Sequence, residues 1–92
     1  MQVLKRDGRL QTYRADKIAL TLARASDEIG QPLTHGDVDY LTDRVTECVT
    51  QLHTDPVSAL TVHKAVVSVL QDNGFDAIAK AYDAKQLQGR QH

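Results

Sequence analysis

Gln2-Val3-Leu4-Lys5-Arg6-Asp7-Gly8-Arg9-Leu10-Gln11-Thr12-Tyr13-Arg14-Ala15-Asp16-Lys17-Ile18 is the stretch on which the fold turns. Gln2 to Lys5 and Leu10 to Tyr13 are short segments of mixed apolar and polar alternation on either side of Arg6-Asp7-Gly8-Arg9, and Asp-Gly in that setting signals a hairpin turn. A hairpin over about 2–13 is marginal in water by itself, so it must lie against other elements. Asp16 reads as the N-cap of a first helix over about 16–29. Its apolar residues Ile18, Leu22, Ala25 and Ile29 recur on one face until Gly30 and Pro32 end it.

The rest of the chain carries helical punctuation. Thr34-His35-Gly36-Asp37 offers an Asp version of the capping box, and a stripe of Val38, Leu41, Val45, Cys48, Val49 and Leu52 predicts a helix over about 35–53. Ser58 caps a third, over about 59–73, with the stripe Val62, Val66, Val69 and Leu70 and with Gly74 as a left-handed stop. The β-branched content of that segment would suit a strand, but its flanking caps decide for a helix. Phe75 is placed to staple a last helix over about 76–86, carrying Ile78, Ala79 and Tyr82, with fraying expected beyond Gln86 and a tail at 89–92. The expected class is α+β, mostly α: an N-terminal β-hairpin covering a bundle of about four helices, one domain over 1–88.

Composition agrees. Ninety-two residues, 41% hydrophobic, five Gly and two Pro suit one compact domain burying roughly 60–70% of its unfolded surface. With no Trp, one Phe and three Tyr, the core must come from Leu, Val, Ile and Ala. A single cysteine allows no internal disulfide, and Cys48, lying on the second helix's apolar stripe, is expected to be a buried packing thiol. With no signal peptide and no apolar run long enough to span a bilayer, a cytoplasmic location without membrane association is expected. His35, His53 and His92 share no ligand spacing, so no metal site is expected.

Charge is uneven. The formal net charge is −1, yet residues 1–24 carry Lys5, Arg6, Arg9, Arg14, Lys17 and Arg24 against Asp7 and Asp16. Residues 25–60 carry Asp27, Glu28, Asp37, Asp39, Asp43, Glu47 and Asp55 against Arg44 alone. Lys5 and Arg6 stand beside a turn, and Lys17 in the first turn of a helix opposes the helix dipole unless an anion binds there. Two readings follow: these cations keep a hairpin soluble, or Lys5, Arg6 and Lys17 converge with first-turn N–H groups on phosphate oxygens. The acidic run on the second helix reads as a solvated face that could also dock a basic partner. Residues 16–92 are net negative, which argues against nucleic acid.

Val3-x-Lys5-Arg6-Asp7-Gly8-Arg9, then Tyr13 and Lys17-Ile18, then Val62 to Leu70, then Gly74-Phe75 and Ala79-x-Ala81-Tyr82 resemble the ATP-cone, across essentially residues 2–86. That family is the nucleotide-binding regulatory domain of many ribonucleotide reductase catalytic subunits and of the zinc-ribbon repressor of their genes. The resemblance implies ATP or dATP, with Mg²⁺ on the phosphates, bound between hairpin and helices without hydrolysis. It implies allosteric control of a ribonucleotide reductase subunit or another separate chain, or self-association. The nucleotide-binding set it implies is Val3, Lys5, Arg6, Arg14, Lys17, Ile18, Val62, His63 and Lys85. Val3 and Ile18 would flank adenine, Lys5, Arg6 and Lys17 would reach phosphates, and Val62 and His63 would line base or sugar.

Where the family often has a basic residue four after its closing Tyr, this chain has Lys85 three after Tyr82. Gln11 replaces a common acidic residue and Ala59 a common hydroxyl. No nucleotide-hydrolysing motif is present, so no catalytic residue and no enzyme activity are expected. The alternative is a degenerate cone-fold interaction module that has lost nucleotide binding. Tyr13 and Tyr82 are expected to be core residues rather than base-stacking ones.

Overall fold

The computed structural model describes the backbone of residues 1–89 and the side chains of residues 1–84. Its order is β1 (Gln2–Leu4), β2 (Leu10–Thr12), α1 (Ala15–Glu28), α2 (His35–Thr50), β3 (Val57–Ser58), α3 (Ala59–Asp72) and α4 (Asp76–Gly89). The expected class holds: small N-terminal strands followed by four helices. α1 packs on α2, α2 on α3, α3 on α4, and α4 back on α1, so the bundle closes on itself.

The hairpin forms where Asp-Gly predicts it. The Lys5 N–H donates to the Arg9 carbonyl at 2.8 Å, the Gly8 N–H to the Lys5 carbonyl at 3.0 Å, and Gly8 takes a φ of 90° that favours glycine. β1 pairs antiparallel with β2, Val3 opposite Gln11. The third strand was not legible in the sequence: β3 runs parallel to β1 on its other side, pairing Val3 with Val57 and Leu4 with Ser58. Two residues beside Pro56 are too short for any periodicity, so the strand forms only because β1 is there to receive it.

Helix caps explain most of the remaining boundaries. The Thr34 hydroxyl accepts from the Asp37 N–H at 3.0 Å while the Asp37 carboxylate accepts from the Thr34 N–H at 3.3 Å, which is the full capping box. The Ser58 hydroxyl accepts from the Thr61 N–H at 3.0 Å and holds the valine-rich α3 in a helix. α3 ends in a Schellman turn: the Phe75 N–H reaches the Leu70 carbonyl at 2.8 Å and the Gly74 N–H reaches that of Gln71 at 3.1 Å, with Gly74 at φ 82°. Phe75 then packs, partly buried, against the core, as its staple position predicts.

Four expectations are corrected. Arg14, not Asp16, is the N-cap of α1, and it caps without a side-chain bond; Asp16 sits in the first turn, where its negative charge suits the helix dipole. Cys48 is exposed rather than buried. The buried arc of α2 is Leu41, Thr42, Val45 and Val49, and Cys48 lies one residue, hence about 100°, away from Val49 around the helix. Leu52 is exposed too, because α2 stops at Thr50 and the chain turns through His53 at φ 53°. α4 continues past Gln86 to Gly89 through good helix formers; residues 90–92, which hold most of the expected tail, lie outside the described residues.

Leu22, Leu41, Val49, Val66, Leu70 and Ile78 are at most 1% exposed and form the centre where the four helices meet. Leu70→Ala should cost about 2–5 kcal/mol of unfolding free energy in urea titration, by lost burial plus the cavity left behind. Thr34→Ala should cost about 1 kcal/mol through the cap. Cys48→Ser, on the surface, should stay within about 0.5 kcal/mol of the parent; a large loss there would contradict the placement of α2.

Candidate functional site

A cleft of about 260 Å³ opens where the hairpin, the start of α1 and the start of α3 meet, with Tyr82 of α4 behind it. Each wall follows from local structure. Residues two apart in β1 share a face, so buried Val3 brings Lys5 inward with it, and register sets Gln11 beside Val3. On α1, Lys17, Ile18 and Thr21 lie within one turn and look toward the strands. Pairing of Ser58 with Leu4 seats the first turn of α3 against the sheet, which delivers Ala59, Val62 and His63.

Seven of the nine residues expected to bind nucleotide line this cleft: Val3, Lys5, Arg14, Lys17, Ile18, Val62 and His63. Arg6 does not; it stands exposed in the hairpin turn, two residues past the end of β1 and outside the lining. The Lys85 side chain lies outside the described residues. Gln11, Thr12, Tyr13, Thr21, Ala59 and Tyr82 also line the cleft. Thr21 could have been read from its place one turn after Lys17. Gln11 needed the register, and Tyr82 needed the packing of α4.

The lining separates by chemistry. Val3, Ile18, Ala59 and Val62 supply an apolar floor, Lys5 and Lys17 supply cations, and among the described lining residues there is no carboxylate. Among the described residues neither lysine makes an ion pair. Two nearby arginines, Arg14 and Arg9, are held locally. Arg14 donates to both oxygens of Asp16, at 3.1 and 2.8 Å, and this holds the Asp16 carboxyl below its ordinary range. Arg9 donates to Asp7 through its backbone N–H and its guanidinium, with the same effect on Asp7, so its charge stays at the turn. These pairs are exposed, so their contribution to stability is small.

The back wall is built from two aromatic rings. His63 stacks on Tyr82 with centroids 5.1 Å apart and planes at 24°, and the His63 Nε2 donates to Asp83 Oδ1 at 2.6 Å. His63 Nδ1 is buried without a partner. Burial pushes the Tyr82 phenol up to about 12. Tyr13 is half-buried against the core, and its hydroxyl shares a hydrogen bond with the Thr46 hydroxyl at 2.8 Å, which ties the end of the hairpin to the middle of α2. Both tyrosines thus belong to the core and to the cleft wall.

Among the described residues there is no cluster of three His, Cys, Asp or Glu able to hold a metal, and no helix is long and apolar enough to cross a membrane. Comparison with known families matches residues 1–84 to the family described as the ATP cone domain. No curated protein matches the chain. ATP-cone domains bind ATP or dATP and are regulatory rather than catalytic.

The raised Tyr82 titration sets the alkaline behaviour of the site. Below pH 10 the phenol is protonated in folded and unfolded chains alike. Between about 10 and 12 the unfolded chain loses that proton first, so stability falls as pH rises. Urea midpoints measured at pH 8 and pH 11 should draw together in Tyr82→Phe relative to the parent; an equal decline in both would place the phenol in solvent.

Proposed function

We propose that this chain, which belongs to the ATP-cone family, is a non-catalytic sensor that binds ATP or dATP in the cleft between hairpin, α1 and α3. Its nucleotide state is passed to a separate protein chain, with a ribonucleotide reductase subunit as the leading candidate. The observation that carries this reading is the convergence of Val3, Lys5, Lys17, Ile18, Val62 and His63, from three separate elements, on one cleft with cations and an apolar floor. A phosphate chain needs the first and a purine the second.

In this arrangement Val3 and Ile18 flank the adenine, and Val62 with His63 lines the base or sugar. Lys5 and Lys17 meet the phosphates beside the first turn of α1, with Arg14 at its N-cap. Lys17 there opposes the helix dipole by a few tenths of a kcal/mol, a term that bound phosphate reverses. Arg6, exposed in the hairpin turn outside the cleft lining, approaches the phosphates from the turn once nucleotide is bound. Magnesium enters on the phosphates, since the cleft offers it no carboxylate. The output is a shift in association, which requires the nucleotide to bind two assembly states unequally.

A second reading, an interaction module without nucleotide, draws on the exposed Tyr40 (55% exposed) near Asp37, Asp39 and Asp43 on α2. Calorimetric titration separates the two. Magnesium-loaded ATP and dATP should bind while GTP does not, and saturation at a hundred times Kd should stabilise the fold by about 2.7 kcal/mol. Lys5→Ala or Lys17→Ala should each weaken binding about tenfold or more, the loss of one charge-assisted contact. No heat and no stabilisation with any nucleotide would leave the interaction module.

A further inference from the structure

The small sheet has one closed edge and one open edge. The Tyr13 N–H donates to the Met1 carbonyl at 2.9 Å and the Lys5 N–H to that of Arg9 at 2.8 Å. In the register that sets Val3 opposite Gln11, the bonds between β1 and β2 therefore fall on these alternate residues, and the backbone groups of Gln2, Leu4, Leu10 and Thr12 point out of the hairpin. Those of β1 are covered, because the Gln2 N–H reaches Asp55 Oδ1 and Leu4 lies beside Ser58 of β3. Those of β2 are not: it is the outermost strand, and among the described residues neither Leu10 nor Thr12 has a backbone partner on that side.

An open edge of this kind is ordinarily blunted by Lys, Pro or a bulge, and Leu10-Gln11-Thr12 has none of these; only its shortness protects it. Leu10 is also the most exposed large apolar side chain among the described residues, at 57%, and Leu4 opposite it on the same outer face is exposed too.

We propose that this edge is where a second copy of the chain pairs, β2 against β2, antiparallel about a two-fold axis through Gln11. The edge is complementary to itself in that register. Each Leu10 stands opposite the second copy's Thr12, and their outward N–H and C=O groups satisfy one another. The two Gln11 side chains meet on the same face, and an amide both donates and accepts, so identical residues suit each other there. The paired segment carries no charge, so no like charges oppose. The same axis carries the turn, with Arg6 exposed and in no ion pair among the described residues, to the level of the second copy's exposed Asp16, and the reverse. So small a contact belongs to the weak class of interface, populated only at high concentration. The pairing does not depend on the nucleotide reading.

The test is sedimentation equilibrium of the full chain without nucleotide, up to about 1 mM protein, the range in which a weak interface fills. The mass should rise from 10.2 kDa toward twice that value. Thr12→Pro removes an outward N–H and no bond of the hairpin, and Leu10→Lys places a charge on the edge; both should remain monomeric, with urea midpoints showing that they are folded. Leu10→Lys, altering only an exposed side chain, keeps the test decisive if the proline variant does not fold. In a Cys48→Ser background, Gln11→Cys should close a symmetric disulfide on oxidation, since residues opposed in this way stand about 4.5 Å apart. Leu10→Cys, whose copies are offset diagonally by about 7–8 Å, should not. A mass that stays at 10.2 kDa throughout would overturn the pairing. Association unmoved by either edge variant, or equal cross-linking of the two cysteine variants, would overturn its assignment to β2.

Discussion

The two-residue parallel pairing of β1 with β3 is the junction on which the cleft depends. Val3 sits against Val57, and Leu4 against Ser58, the residue that also caps α3. One short ladder therefore fixes the hairpin's height and the start of α3 in the same frame, placing Lys5 and Val3 on one side of a gap and Val62 and His63 on the other. The Tyr13–Thr46 hydrogen bond and the Gln2 N–H to Asp55 Oδ1 bond at 2.9 Å tie the hairpin at two further points. A hairpin of three-residue strands has too little surface of its own to persist, so its position is set by what it leans on.

Electrostatics then gives the cleft its character. A chain with net charge −1 would attract polyanions poorly as a whole, yet half of its acidic residues lie on α2 and around the end of α1, while Lys5 and Lys17 line the gap. Arg9 and Arg14 are occupied by Asp7 and Asp16, which leaves Lys5 and Lys17 as the cations of the described lining with no ion pair. Over distances shorter than the roughly 10 Å screening length, that local arrangement outweighs the sum. The apolar floor of Val3, Ile18 and Val62 adds selectivity for a flat base that charge alone would not supply.

Much of this was legible in the sequence wherever a single residue type does a single local job. Asp7-Gly8 marked the hairpin, Thr34 with Asp37 and Ser58 marked two helix starts, and Gly74 marked an end. Of the seven expected residues that line the cleft, Val3, Lys5, Arg14, Lys17 and Ile18 fall in one short stretch, while Val62 and His63 come from the start of α3. What stayed hidden depended on distant partners. β3 exists only against β1, and the His63–Asp83 bond spans 20 positions. Cys48 misled because apolar type was read as burial, while the burial arc of α2 was set by its neighbours α1 and α3. Arg6 looked equivalent to Lys5 in composition, and its place in the turn leaves it outside the lining that Lys5 joins.

The central claim is that adenine nucleotide occupies this cleft. Amide chemical-shift mapping by NMR during titration with magnesium-loaded ATP tests it most directly. The account predicts the largest shifts at Val3, Lys5, Lys17, Ile18, Val62 and His63, with Asp39, Asp43 and Glu47 on the outer side of α2 nearly unmoved. Shifts concentrated on α2, or spread evenly without saturation, would contradict it.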